Sequence, residues 1–102
     1  MNRYAKGARL ERLAAAGLRE DGYAVMRSAG SKGPVDLIAY NERRVRFIQV
    51  KARGQVHPDD RAALRRLRVP SCASREVWER NRIGGWMVRR IGRRPRQHGG
   101  RP

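Results

Sequence analysis

From Arg3 to Asp21, Leu10, Leu13, Ala14, Gly17 and Leu18 recur at i, i+3, i+4, i+7 and i+8. This spacing predicts a helix with one apolar face. Asn2 stands where an N-cap belongs, and Gly22 where a helix stops. Arg9, Arg12 and Arg19 fall on the far side, toward solvent or a phosphate backbone. Glu11 lies at the flank of the stripe between the small residues Ala8 and Ala15, so its carboxylate can lean over the edge of whatever the helix packs on. The period then changes to two. "YAVMRS" (23–28), "VDLIAY" (35–40) and "RVRFIQVKA" (44–52) read as strands, separated by the turn-forming "SAGSKGP" and "NER". Pro58, Asp59 and Asp60 open a second helix that runs to about Arg68, and Pro70 ends it. "REVWER" and "GGWMVRRI" read as a hairpin around "NRIG". The order α-β-β-β-α-β-β predicts an α/β domain, a mixed sheet flanked by helices, over residues 1–91. Residues 92–102, "GRRPRQHGGRP", have no apolar side chain to bury and read as a disordered basic tail.

Charge narrows the partner. The chain carries 25 basic and 9 acidic residues in 102, a formal net charge of +16. Such an excess in a folded chain points to a polyanion, most often nucleic acid. A membrane surface would call for the charge to gather on a basic amphipathic helix with aromatic anchors, whereas here it is spread along the whole chain, and no run of about 18 apolar residues is present to form a span. The N-terminus "MNRYAKGARLERL" has no apolar signal core, so a cytoplasmic location is expected. Cys72 has no partner for an internal disulfide, and with His57 and His98 it cannot build a structural zinc site. "GSKG" lacks the spacing of a phosphate-binding P-loop, and no small-molecule cofactor is expected. Carboxylate-based metal chemistry remains, or no chemistry.

The candidate chemistry lies in "VDLIAYNERRVRFIQVK". Two strands joined by so short a turn are antiparallel neighbours, which brings Asp36 near Gln49 and Lys51. Gln49 and Lys51 share a strand face with Val45 and Phe47. A carboxylate in an apolar run needs a cation, either Lys51 in a plain buried ion pair or a divalent metal. Mg2+ (with Mn2+ able to substitute) takes hard oxygen ligands and keeps several waters, so Asp36 and the Gln49 amide oxygen would suffice, with Glu11 in reach. Lys51 would then stabilise charge on an attacked phosphate or orient a water. Spacing alone leaves both readings open. Glu11 equally reads as an exposed helix carboxylate paired with arginine. Trp78 and Trp86 read as packing residues before base-stacking ones. Ser31 and Lys32 form either an ordinary turn or a phosphate contact.

Residues 4–53 resemble the archaeal-type Holliday-junction resolvases, a branch of the PD-(D/E)XK nuclease superfamily. The resemblance rests on "YAKGARLER", "GYAVMRSAGSKG", "VDLIA" and "IQVK" in that order. It implies a restriction-endonuclease-like fold and a metal-dependent endonuclease that resolves four-way DNA junctions by paired nicks, usually as a homodimer. It assigns catalysis to Glu11, Asp36, Gln49 and Lys51, with Asp36, Gln49 and Glu11 on the metal. It matches Arg12 and Arg27 to basic residues near the junction backbone and Ser31 to a loop serine that supports the phosphate or the metal site; Lys32 and Arg53 are further candidates for contacts with branched DNA. One residue departs from the pattern, since the family usually has glutamate where this chain has Gln49. Glutamine removes one negative charge yet keeps an oxygen, a "QxK" form that Mrr-like restriction nucleases also use. The C-terminal half does not match the archaeal resolvases closely. A restriction-like or flap-processing nuclease, or a DNA-binding protein that keeps the fold without chemistry, is the alternative.

Overall fold

Gly22 closes the first helix. Its φ of +91° lets its N–H reach Arg19 O and the Tyr23 N–H reach Leu18 O, both at 3.0 Å. The last carbonyls are thereby satisfied in a conformation that a side chain would strain. The computed structural model describes residues 3–28 and 33–92. Asn2, the loop residues Ser31 and Lys32, and tail residues 93–102 lie outside them.

The elements are α1 (Arg3–Glu20), β1 (Ala24–Arg27), β2 (Leu37–Tyr40), β3 (Val45–Lys51), α2 (Pro58–Arg66), β4 (Ala73–Arg80) and β5 (Trp86–Arg90). Each lies where the hydrophobic pattern puts it, with ends shifted by a residue or two; most are shorter, while β4 begins two residues earlier, at Ala73. The strands form one sheet in the order β1-β2-β3-β4-β5. Every neighbouring pair is antiparallel except β3 and β4, which are parallel and joined through α2. A parallel pair needs such a crossover, whereas Asn41 and Asn81 suffice at the hairpins. The Oδ1 of Asn41 accepts the Arg43 and Arg44 N–H groups, and the Oδ1 of Asn81 accepts those of Ile83 and Gly85.

Two apolar layers sandwich the sheet. On the α1 side Ala14, Ala15, Leu18, Leu37, Ala39, Ile48, Val50 and Trp78 are buried. On the α2 side Leu64, Val77 and Ile91 pack with Val35 and Val56. The α1 face differs from the one its spacing predicts. Leu13 is 41 % exposed and Gly17 is exposed, while Ala14 and Ala15 are fully buried. The helix is rotated so that 11, 14, 15 and 18 look at the sheet. Two alanines allow close approach there, and Arg27 receives the charge of Glu11 on the inner side. Trp78 and Trp86 pack with ring centroids 5.8 Å apart, which is the packing role expected for them.

Beneath α1, Glu76 of β4 is buried and takes two bonds from Arg46 of β3 (2.9 and 2.7 Å), with Ser74 Oγ and Trp78 Nε1 completing its shell. Burial alone would raise the Glu76 pKa. The hydrogen bonds from Arg46, Ser74 and Trp78 and the charge of Arg46 outweigh it and hold the carboxyl below its usual range. No described helix is long and apolar enough to cross a membrane.

Candidate active site

Asp36 sits one residue ahead of β2, not inside a strand beginning at Val35. Its N–H bonds Ile48 O at 2.9 Å, its carbonyl accepts the Ser28 N–H at 2.9 Å, and its Oδ2 accepts the Val50 N–H at 2.8 Å. The carboxylate thus takes a donor of β3 for itself, a local competition with the ladder that short polar side chains often win. Ser28 Oγ donates to Val35 O at 2.6 Å, so the ends of the 29–32 loop are tied beside Asp36.

Its electrostatics are unusual. Burial pushes the Asp36 carboxyl up from 3.8 to about 6; the Val50 N–H and Lys51 pull it down, and the charges of Glu11 and Asp60 push it further up. Among the described residues no ion pair reaches it. Lys51 Nζ lies instead 3.3 Å from Asp60 Oδ1, in the first turn of α2. The Asp36–Lys51 ion pair that spacing left open does not form.

Gln49 is buried at 8 % exposure, and its Oε1 has no hydrogen-bond partner among the described residues. A buried acceptor left unmade costs about 1–3 kcal/mol, so it calls for a donor or a cation. Register aligns β2 with β3 through Leu37 and Ile48, which puts the Asp36 and Gln49 positions side by side at the strand ends. A carboxylate without an ion pair and a neutral amide oxygen are hard donors of the kind Mg2+ accepts while keeping its waters. The residues present therefore fit such an ion. Among the described residues no three His, Cys, Asp or Glu side chains converge on a metal position.

Glu11, expected on the metal, is held by an arginine in this structure. Its Oε1 accepts Arg27 Nη2 at 3.3 Å, and its charge reaches Asp36 through space. Arg27 is correspondingly half-buried on Glu11, not free on the surface, and its Nε is buried without a partner among the described residues. Arg12 and Arg53 are exposed.

Two acids escape a reading by motif. Asp60 reads in the sequence only as a helix-start acid. Glu79 of β4 is the register partner of Lys51, and its Oε2 accepts the Gly54 N–H at 2.8 Å, which fixes the turn carrying Arg53. No local signal marks either, because each reaches β3 only through the parallel crossover.

Comparison with known proteins adds to this geometry. Residues 2–61 match the family described as archaeal Holliday junction resolvase (Hjc). Among solved structures, Archaeoglobus fulgidus Hjc, described as a Holliday junction resolvase from an archaeal hyperthermophile, aligns with a TM-score of 0.70 at 28 % identity. The alignment covers 84 % of this chain and 73 % of that one. It shows the same mixed-sheet α/β architecture. No curated protein matches the chain. With more than half its length inside the family's pattern and that architecture around it, the chain belongs to the archaeal Holliday junction resolvase family.

Proposed function

We propose that the chain resolves four-way DNA junctions as a Mg2+-dependent endonuclease, nicking paired strands as a homodimer in the cytoplasm. Family membership carries the nuclease and the junction. The observation that carries the metal is the half-buried Asp36 carboxylate, with no ion pair among the described residues, beside a buried Gln49 Oε1 that has no partner among them either. Asp36 and Gln49 would hold the ion, with Glu11 acting through its charge from the α1 edge. Bound there, the ion would supply Lewis-acid stabilisation of phosphate charge and lower the pKa of a water.

The chain's own residues do the rest. Lys51 brings a compact ammonium to the mouth of the site, where it stabilises charge growing on the phosphoryl oxygens. Arg27 keeps Glu11 from crowding Asp36 with unpaired negative charge. Arg12 and Arg53, with Ser31 and Lys32, contact phosphates, so recognition follows backbone shape and weakens with salt. One chain contributes one site, and paired nicks need two. The outer strand β5 supports self-association, with Met87 and Val88 nearly half exposed and Ile83 of the adjoining turn at 91 %.

The test is a labelled four-way junction beside a matched linear duplex, in Mg2+ and in EDTA, with Asp36→Ala alongside. Paired nicks in the junction alone, lost with EDTA and with Asp36→Ala, are expected. Equal cutting of linear duplex would make it a nuclease of other specificity. Binding without cutting at any Mg2+ concentration would sink the catalytic reading.

A further inference from the structure

With glutamine at position 49, the site lacks one carboxylate among its strand residues. Among the described residues Asp36 is the acid beside Gln49; Glu11 is paired with Arg27, and Glu79, the register partner of Lys51 on β4, accepts the Gly54 N–H. A carboxylate nonetheless arrives from another element. Asp60, at the first turn of α2, is fixed by both oxygens: Oδ2 accepts the His57 N–H at 2.9 Å, and Oδ1 lies 3.3 Å from Lys51 Nζ. Its side chain is 19 % exposed and that of Lys51 26 %, so this pair is partly withdrawn from water. The charge of Asp60 also reaches Asp36.

We propose that Asp60 is a positioning residue of the junction-cleaving reaction, holding the Lys51 ammonium at the site and supplying there the negative charge that Gln49 does not carry. The inference rests on the resolvase reading of this site. A lysine side chain is flexible, and an ammonium left to solvent would spend little time directed at a phosphate. Anchoring it on a carboxylate that a helix terminus already holds fixes its position before substrate arrives. It also keeps Lys51 from closing onto Asp36, which leaves that carboxylate open to a cation. The buried Gln49 Oε1, two residues before Lys51 and without a partner among the described residues, points to an occupant of the same space. Capping alone would need only the oxygen that meets His57, whereas this aspartate uses the other one on Lys51.

Asp60→Asn separates the two roles, because an amide oxygen still accepts the His57 N–H while the charge is gone. Asp60→Ser, whose hydroxyl can cap as well, is the second variant should asparagine disturb α2. The chain has only three lysines, Lys6, Lys32 and Lys51, so side-chain ammonium resonances in 15N NMR of the full chain can be assigned one by one. The expected result is loss of the ordered Lys51 ammonium signal with the backbone amide spectrum otherwise kept. Single-turnover junction cleavage in Mg2+ should fall by about tenfold or more, the usual effect of losing such an outer partner. The junction Kd in EDTA should change by less than about twofold, since the loss lies in the reaction and not in binding. An unchanged Lys51 signal, or unchanged cleavage by both variants, would overturn the proposal. A wild-type chain that binds but never cuts would refute the resolvase reading itself, and the ammonium spectrum would still decide whether Asp60 positions Lys51.

Discussion

Replacing Asp36 with asparagine should stabilise the fold while removing its chemistry. Asparagine is nearly isosteric, and its Oδ1 can still accept the Val50 N–H, so the packing is kept. What disappears is a carboxylate held in a poor place for charge. Its pKa rises from 3.8 to about 6 on folding, chiefly through burial. Each pKa unit is worth about 1.4 kcal/mol, so the ionised group costs the native state about 3 kcal/mol, reduced to about 2 kcal/mol by the solvent that still reaches it. The folded pKa lies above the unfolded one, so the native state binds the extra proton. Stability attributable to this group therefore falls as pH rises through the window from 3.8 to about 6, and the penalty is complete above it. In EDTA at pH 7 the Asp36→Asn protein should melt roughly 10 °C above wild type, given about 4–8 °C per kcal/mol for a domain of this size. The gap should close as the pH approaches 4. Excess Mg2+ should raise the melting temperature of wild type and not of the variant, because only the native wild type has the ligand to bind it. Calorimetry at several pH values with and without Mg2+ reads all three. A variant less stable than wild type at pH 7, or a gap independent of pH, would refute the view that Asp36 is a desolvated charge without an ion pair.

The Arg46–Glu76 pair should behave in the opposite sense. Glu76→Gln leaves Arg46 without its counter-charge, at a cost of about 3–5 kcal/mol in urea melts; and because the Glu76 pKa is held below its usual 4.5, that stability is present above this value and is lost as pH falls below it. Leu64→Ala, at a position with no exposure, should cost about 2–5 kcal/mol and loosen α2 against Val77. Junction cleavage should then fall together with the Lys51–Asp60 contact, as amide exchange in α2 would show. Arg12→Ala should weaken junction binding uniformly and lower the slope of log K against log salt by about 1, whereas Arg27→Ala should mainly release Glu11. Equal salt slopes for wild type and Arg12→Ala would remove Arg12 from the phosphate contacts.

Much of this architecture is local physics and so is legible along the chain. The period of 3.6 before Gly22, the period of two from Tyr23 to Ala52 and the Pro-Asp-Asp start of α2 each place an element where the structure has it. The antiparallel approach of Asp36 to Gln49 and Lys51 also follows from a short turn between two strands. The strength of each carboxylate and the partner of each cation depend on contacts far apart in sequence. Whether Asp36 would be neutralised by Lys51 was undecided by spacing, because it depends on an acid on α2. Only the parallel β3–β4 pairing and its crossover bring Asp60 to Lys51. Likewise the rotation of α1 that turns Glu11 inward follows from how closely two alanines let the helix approach the sheet, and from the Arg27 that waits there. Hydrophobic periodicity determines which elements form, since it is set by neighbours along the chain. Charge pairing and desolvation are set by neighbours in space, and those exist only once the layers have packed.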